Sequence, residues 1–369
     1  MINFDNRLKK LKERRQGVKA RAGLESYSYA LDSADQHLRE SYERINDSAA
    51  VKYVIGAMAA VDPASTQVSI NEGNRVADTL ISMLETGGIY ATKELQGSVA
   101  LDIHIEGHSD VDMLILKSDI WSVQLPKLDG TECYSPESRS MIELLNELRD
   151  TSEKKLKSRY YECTVDCTGA KSIALEGGSL QRKVDIVPSC WFNTHTYQRS
   201  LQKHDRAVKI YDKKNYQLLE NKPFLHMHLI KNRDGYYNGN LRKIARLLKN
   251  IIADMPNAKK AMVKNLSSYD IASIAYNMGP ELDNPTYMDL GLLEKTRAYL
   301  VTLESYFTRD SLIVPDRSRK VFDNDKKVEA LEILTKEVSD LAYSVYKDLM
   351  PSGLYYDGSP LISKKVVLG

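Results

Sequence analysis

The sequence lacks the features that mark membrane proteins, secreted proteins and zinc-ribbon proteins. No apolar run approaches the roughly eighteen residues of a membrane span, and the polar, basic stretch NRLKKLKERRQ near the start lacks the apolar centre of a signal peptide. The four cysteines, Cys133, Cys163, Cys167 and Cys190, lack the paired CxxC spacing of a zinc site or a disulfide framework. We therefore expect a cytoplasmic protein with reduced thiols and no direct membrane insertion.

Strong net charge is also missing. The chain has 52 basic and 50 acidic residues, for a formal net charge of +2, which argues against a broad nucleic-acid-coating surface and allows only a local basic patch. With 369 residues, 42% of them hydrophobic, it is long enough for two globular lobes. No Walker A, Gly-x-Ser-x-Gly or HExxH motif is present to indicate P-loop, serine-hydrolase or zinc-protease chemistry.

The most informative stretch is LQGSVALDIHIEGHSDVDMLIL, at positions 95–116. Asp110 and Asp112 stand at the entrance of the apolar run VDMLIL, where positions i and i+2 of a strand face the same side. Two such carboxylates repel each other and lose hydration, and a divalent cation is the usual compensation. Asp185, within the short β-branched run KVDIVP, supplies a third carboxylate. The pattern predicts a site for two Mg²⁺ or Mn²⁺ ions on Asp110, Asp112 and Asp185.

A Gly-Ser step lies upstream of the acidic pair. Gly97 lets backbone approach a phosphate without a Cβ in the way, and Ser98 offers a hydroxyl and an N–H. The intervening ALDIHIEGHSD alternates like a strand, which predicts that Asp102, His104 and Glu106 form its solvent-exposed face. We do not expect the histidines of this stretch to bind metal.

The second half of the chain carries a basic helix pattern, NLRKIARLLKN, at positions 240–250. Its apolar residues recur at helical spacing, while four cations lie largely off that stripe: Arg242, Lys243, Arg246 and Lys249. A cationic helix facing the acidic site would suit a triphosphate. The alternative is an ordinary solvated charged face.

These motifs together resemble the polymerase-beta-type nucleotidyltransferase superfamily, and within it the branch of oligoadenylate synthase, cyclic GMP-AMP synthase and the bacterial CD-NTases of anti-phage defence. The segments NLRKIARLLKN, LSSYDIASIAY and VPDRSRKVF carry the branch assignment, and the resemblance covers roughly positions 79–322. It implies an α+β fold, a palm of mixed sheet and helices plus a C-terminal helical lobe, with the active site in the cleft between them. It also implies that Lys249 and Ser268 grip the triphosphate and that Tyr269 stacks on the base.

With that resemblance, the chain divides into four predicted segments. Residues 1–73 form an N-terminal helical brace, 74–200 the nucleotidyltransferase core, 201–350 the helical nucleotide-binding lobe, and 351–369 a flexible tail. Within them, VDPASTQVSINEG at positions 61–73 is predicted to be a loop, since it combines Pro, Gly and small polar residues. KVDIVP is predicted to be the last strand of the palm, ended by Pro188.

The resemblance leaves several functions open. The motifs look closest to the Hailong-type sub-branch, which implies a template-independent enzyme that polymerises nucleoside triphosphates, dNTPs favoured, into a linear oligonucleotide, with an effector, such as a membrane pore, encoded nearby. Its primer would be a hydroxyl of its own tail, with the following candidates: Ser352, Tyr355, Tyr356, Ser359 and Ser363. The alternative is a synthase of cyclic di- or trinucleotides from NTPs. A protein-AMPylating enzyme and an inactive nucleotide sensor are further alternatives.

Overall fold

The computed structural model describes residues 2–24, 40–128 and 137–366. They form two compact units. The sheet unit comprises Asp62–Leu101 and Ser109–Leu229, and the helical unit comprises Met1–Val61, Asp102–His108 and Ile230–Gly369. Within the described ranges, none of the helices combines the length and the apolar content needed to cross a bilayer.

The strands of the sheet unit are β1 Ala91–Gln96, β2 Val111–Val123, β3 Thr164–Asp166, β4 Ile173–Glu176, β5 Val184–Asn193, β6 Ala207–Asp212 and β7 Gln217–Asn221. The helices that belong wholly to this unit are α4 Pro63–Glu85, α5 Gly97–Ala100, α6 Met141–Arg159 and α7 His195–Ser200. Helix α8, Pro223–Tyr236, begins in it and ends in the helical unit.

The remaining helices belong to the helical unit. They are α1 Phe4–Leu24, α2 Ser41–Arg44, α3 Ala49–Met58, α9 Asn240–Asp254, α10 Asn257–Val263, α11 Ser268–Asn277, α12 Asp289–Thr302, α13 Tyr306–Asp310, α14 Asp325–Leu349 and α15 Ser359–Ser363. Helix α9 packs against α3 and α11 through the apolar stripe that its sequence predicts.

The sheet is mixed, with the order β1-β2-β5-β4-β3 and with β6 pairing to β5 and β7 to β6. Its central pair, β2 and β5, is parallel, whereas the other pairings are antiparallel. Helices α4 and α6 pack their apolar faces on this pair and share one core with it: Val76, Leu80, Leu84, Met113, Ile115, Leu145, Leu148, Leu156, Val184 and Ile186. Burial on both faces explains why these strands read as continuous apolar runs. The predicted α+β fold is confirmed.

The loop predicted for positions 61–73 is wrong, because this stretch forms the first half of α4. The side chain of Asp62 caps the helix by accepting a hydrogen bond from Ala64 N at 2.8 Å, and Pro63 stands in the first turn, where proline is tolerated. Position 73, inside this helix, is occupied by glycine because a Cβ there would come within 2.6 Å of Val111 Cγ1. The glycine read as a loop signal is a packing glycine, and α4 crosses the predicted boundary at residue 73.

Pro188 does not end the sheet. Strand β5 continues to Asn193, and two further strands follow it. Proline is tolerated here because β5 changes its antiparallel neighbour at this residue: β4 pairs with it up to Ile186, and β6 pairs with it from Ser189 onward.

The stretch Asp102–His108 is not the predicted strand with a wet polar face. Its backbone turns at Asp102, which has a positive φ of 54°, and His104 and Glu106 are buried. Asp102 accepts hydrogen bonds from two arginines of α9: its carbonyl from Arg246 at 2.7 Å and its carboxylate from Arg242 at 3.3 Å. The partners of Asp102 lie on a helix of the second half of the chain, and alternation alone does not reveal them.

The segment predicted to be a flexible tail is packed over its described part. Leu361 of α15 is fully buried, and Val366 N donates to Tyr287 O at 2.9 Å. The Tyr356 hydroxyl donates to Glu294 of α12. This segment was predicted to be flexible because it carries small and flexible residues, but its short helix α15 packs against α12 and α14.

Candidate active site

The three predicted catalytic carboxylates lie at one end of the central strand pair. Asp112 of β2 and Asp185 of β5 are register partners on neighbouring parallel strands. Asp110 comes just before β2, where Val111 N donates to Lys183 O at 3.0 Å and holds the strand starts together. The apolar residues that follow each aspartate form the buried sheet, so the polar residues stand at its edge. The structure thus brings together residues that are 73 positions apart in the chain.

Gly97 packs directly against this acidic group. It has a φ of +76°, in the left-handed region, and a Cβ built on it would lie 2.2 Å from Asp112 Oδ2. Only glycine satisfies both conditions without strain. Gln96, at the end of β1, is the antiparallel partner of Asp112, which fixes the approach of the following Gly-Ser step. The Ser98 side chain is buried in the short helix α5.

At this edge of the sheet, burial and mutual repulsion disfavour the state in which the neighbouring aspartates are all ionised. Burial, and then the negative charge of Asp110, raise the pKa of Asp185 above its ordinary value of 3.8, while Lys183 and a hydrogen bond from Ser172 partly offset the rise. Asp185 Oδ1 is buried and has no hydrogen-bond partner among the described residues. Lys183 Nζ donates to Asp110 Oδ2 at 2.8 Å.

These carboxylates fit a divalent metal in their chemistry. Carboxylate oxygens are the ligands that Mg²⁺ and Mn²⁺ prefer, and the buried, unpaired Asp185 Oδ1 is an atom that a metal would satisfy. In the described ranges, however, no three His, Cys, Asp or Glu side chains already form a metal-holding cluster. Asp110 is instead bonded to Lys183, so metal binding requires the carboxylates to rearrange.

The predicted nucleotide-binding residues of the second half lie in the helical unit. Lys249 is half-buried on α9, and Ser268 is exposed as the first residue of α11, next to the capping residue Ser267. The Tyr269 hydroxyl donates to Asp316 Oδ2 at 2.7 Å, and burial followed by the charge of Asp316 raises the pKa of this phenol. The roles of Lys249, Ser268 and Tyr269 toward a nucleotide stay predictions.

The basic face of α9 is used largely inside its own unit. Arg242 pairs with Asp234 at 2.5 Å, Lys243 with Asp289 at 2.6 Å, and Arg246 binds Met58 O at 2.8 Å. These three cations therefore stabilise the packing of the helix within its own unit.

The tail hydroxyls are dispersed, and three of them have partners. Tyr356 binds Glu294, Ser359 Oγ donates to Asp357 Oδ1 at 2.8 Å, and Ser363 Oγ donates to Ser359 O at 2.9 Å. Ser352 and Tyr355 are exposed. A priming role for any of them stays a prediction.

The sequence did not reveal the residues that support Asp110, Asp112 and Asp185, which together are called the acidic trio below. Lys183 was visible in KVDIVP but stood outside the expected aspartate motif. The buried guanidinium of Arg149 donates to the carbonyls of Cys167, Gly169 and Ser172 at 3.0–3.2 Å, and this holds the loop that carries Ser172 to Asp185. No local sequence pattern predicts these contacts, because the residues that form them lie well apart in the chain.

Known proteins similar to this chain are named as cyclic dinucleotide synthases. The chain is 35% identical to the cyclic dinucleotide synthase CdnE of Yersinia aleksiciae over 99% of its own length and 98% of that protein. It is 30% identical to a c-di-GMP synthase of Lachnospiraceae bacterium, covering 84% of this chain and 91% of the relative. The solved structure of a STING-associated CdnE c-di-GMP synthase from Capnocytophaga granulosa matches 93% of this chain with a TM-score of 0.69 and 26% identity. No protein-family model matches the chain.

These relatives bear on the hypotheses left open by the sequence. The predicted resemblance to CD-NTases is confirmed, because the two sequence relatives and the solved structure cover most of the chain. All three are named as cyclic dinucleotide synthases, and this favours the cyclic-product alternative over a linear DNA oligomer. Nothing in these names supports a membrane-pore partner.

Proposed function

We propose a cyclic dinucleotide as the product of this chain, which belongs to the CD-NTase family of nucleotidyltransferases that includes the CdnE cyclic dinucleotide synthases. The enzyme transfers nucleotidyl groups and releases pyrophosphate. Cyclisation requires two such steps: each forms one phosphodiester bond between a sugar hydroxyl and an α-phosphorus, and each expels one pyrophosphate.

In this proposal Asp110, Asp112 and Asp185 hold the divalent metal, Mg²⁺ or Mn²⁺. When bound, the metal supplies a lowered pKa for the attacking hydroxyl and neutralises the phosphate charge that develops during transfer. The residues around it position the substrate. Gly97 lets the backbone of the Gly-Ser step approach the phosphates, and Ser98 donates a hydrogen bond to them. Ser172 and Arg149 fix the Asp185 carboxylate in place.

Lys249 and Ser268 bind the triphosphate in the proposal, and Tyr269 stacks on the base. Lys249 is half-buried on the basic helix α9 and contributes a positive charge there. Ser268 is exposed at the start of the ten-residue helix α11, so its N–H and hydroxyl are available to an anion. The Tyr269 ring is fixed by the hydrogen bond to Asp316, which keeps its face oriented.

The relatives suggest GTP as the first substrate to test. One is named as a c-di-GMP synthase at 30% identity, and the solved structure from Capnocytophaga granulosa is a c-di-GMP synthase described as STING-associated. We extend that description to this chain only as a proposal: its product activates a cyclic-dinucleotide receptor of the STING type in anti-phage defence. Its NTP substrates are cytoplasmic metabolites, which is consistent with the cytoplasmic location expected from the sequence.

The observation that carries the nucleotidyl-transfer chemistry is the register pairing of Asp112 with Asp185, with Gly97 packed against Asp112. The cyclic product is proposed from the names of the relatives. The test is incubation of the purified chain with Mg²⁺ and each single NTP or NTP pair, followed by alkaline phosphatase and mass spectrometry. A phosphatase-resistant cyclic dinucleotide supports the proposal, and the pair that yields it names the bases. Linear or protein-attached products, or no pyrophosphate release from any NTP, contradict it.

A further inference from the structure

Lys183 is placed where it interacts with two of the three carboxylates, Asp110 and Asp185. It directly precedes β5, its carbonyl accepts a hydrogen bond from Val111 N at 3.0 Å, and its ammonium donates to Asp110 Oδ2 at 2.8 Å. Both side chains are 36% exposed, so this ion pair is accessible to solvent and to ions. The backbone contact fixes Lys183 beside the start of β2, so the pairing is built into the sheet.

The charge of Lys183 matters because its neighbours are acidic. Burial acts to lower the pKa of Lys183, but the hydrogen bond to Asp110 and the charges of Asp110 and Asp185 outweigh it, and the pKa is raised. The same ammonium opposes the rise in the pKa of Asp185. Without a cation, the adjacent carboxylates would repel one another at a partly buried edge.

We propose that Lys183 is a resident counter-ion of the acidic trio that competes with the divalent metal for Asp110. The inference rests on the proposed function, since it takes the trio as the metal site. Lys183 occupies Asp110 Oδ2, and its positive charge also opposes a dication on the other oxygen. The metal-free site is thereby stabilised, and metal binding requires the ammonium to leave. Lys183 sets the metal concentration at which the enzyme becomes active.

The test is Mn²⁺ binding to the purified chain without nucleotide, measured by electron paramagnetic resonance of free Mn²⁺. Lys183→Met should bind Mn²⁺ about fivefold more tightly than wild type, the factor that corresponds to a strong exposed ion pair. Lys183→Arg keeps the charge and should bind like wild type. The matched control is Lys93→Met on β1, which removes a lysine paired with Asp78 at 2.5 Å, and its affinity should not change. Equal or weaker Mn²⁺ binding by Lys183→Met overturns the inference.

A second measurement uses the wild-type chain and so does not depend on a variant. Acylation of lysines by an amine-reactive reagent, quantified by mass spectrometry, should increase at Lys183 when Mn²⁺ is added and stay constant at Lys93. Unchanged labelling of Lys183 at saturating Mn²⁺ overturns the inference.

Asp112→Asn separates this inference from the proposed function. If Mn²⁺ binding is the same in wild type and Asp112→Asn, the trio is not the metal site and both proposals fail. If Asp112→Asn abolishes binding while Lys183→Met leaves the affinity unchanged, the metal site stands and only the counter-ion role of Lys183 fails.

Discussion

Gly97→Ala tests the geometry of the acidic site, and Gly88→Ala is its matched control. Gly88 lies just before β1 and Gly97 directly after it, in the same unit. Their backbones are nearly the same, with φ of +77° at Gly88 and +76° at Gly97. They differ in surroundings: a Cβ on Gly97 would lie 2.2 Å from Asp112 Oδ2, whereas a Cβ on Gly88 would meet nothing within 4 Å.

Both substitutions should lower stability, and only Gly97→Ala should lower activity. An alanine in the left-handed region costs roughly 1–2 kcal/mol, so Gly88→Ala should lose about that much free energy of unfolding, and Gly97→Ala should lose more because its Cβ also overlaps Asp112. Carbon atoms pack at about 3.5 Å or more, so Gly97→Ala must also displace the Asp112 carboxylate or the Gly-Ser turn by about 1 Å. A displacement of that size at reacting groups can lower turnover about a hundredfold.

Urea unfolding gives the stability, and pyrophosphate release from NTPs with Mg²⁺ gives the turnover. Gly88→Ala should keep turnover near wild type at a temperature where both variants are folded. If Gly97→Ala turned over substrate as fast as Gly88→Ala, the contact between Gly97 and Asp112 would have no part in the reaction.

Three further predictions concern the trio and the helical unit. Asp110→Asn with Asp112→Asn keeps shape but removes metal-binding charge, so pyrophosphate release should fall about a thousandfold with folding intact by circular dichroism; retained turnover contradicts the mechanism. Lys249→Ala and Ser268→Ala each remove a hydrogen bond of about 1–3 kcal/mol, so calorimetry should show nucleotide affinity about tenfold weaker, and unchanged affinity would reject these ligands. Burial first, and the charge of Asp110 second, raise the pKa of Asp185 above 3.8, so the folded protein holds the carboxyl proton of Asp185 more tightly than the unfolded chain does. The metal-free stability should therefore fall as pH rises from 3.8 through the raised pKa. Asp185→Asn lacks this titration, so its urea midpoint should increase relative to that of wild type as pH rises, and a constant difference across pH would contradict the assignment.

The sheet around the acidic trio could be predicted because its signals are local. VDMLIL and KVDIVP are apolar runs with aspartates at fixed places, and the structure pairs them as neighbouring parallel strands. The basic helix at positions 240–250 was also predicted, since its apolar stripe has a clear period. Such patterns depend only on neighbours in the chain.

The errors arose where a residue's role depends on a distant partner. Gly73 and Pro188 were interpreted as breaks, yet Gly73 lets α4 approach Val111, and Pro188 stands where β5 changes neighbours. Asp102 was assigned to a wet face, yet it accepts hydrogen bonds from Arg242 and Arg246. In each case tertiary contacts override the local preference.

The alternation ALDIHIEGHSD shows the limit most clearly. A period of two is the ordinary strand signal, but this stretch contains a left-handed turn at Asp102 and buries both apolar and polar side chains. The two arginines that donate hydrogen bonds to Asp102 lie 140 and 144 positions later in the chain. The residues of the stretch alone give no indication of these distant partners.

The most direct test of the proposed product is a competition among nucleotides. The purified chain is incubated with all four NTPs and all four dNTPs at equal concentration with Mg²⁺, and both the small products and the intact protein are measured by mass spectrometry. We predict one phosphatase-resistant cyclic dinucleotide built from ribonucleotides, and an intact protein of unchanged mass. A ladder of deoxynucleotide additions, either free in solution or attached to the protein, would contradict the account.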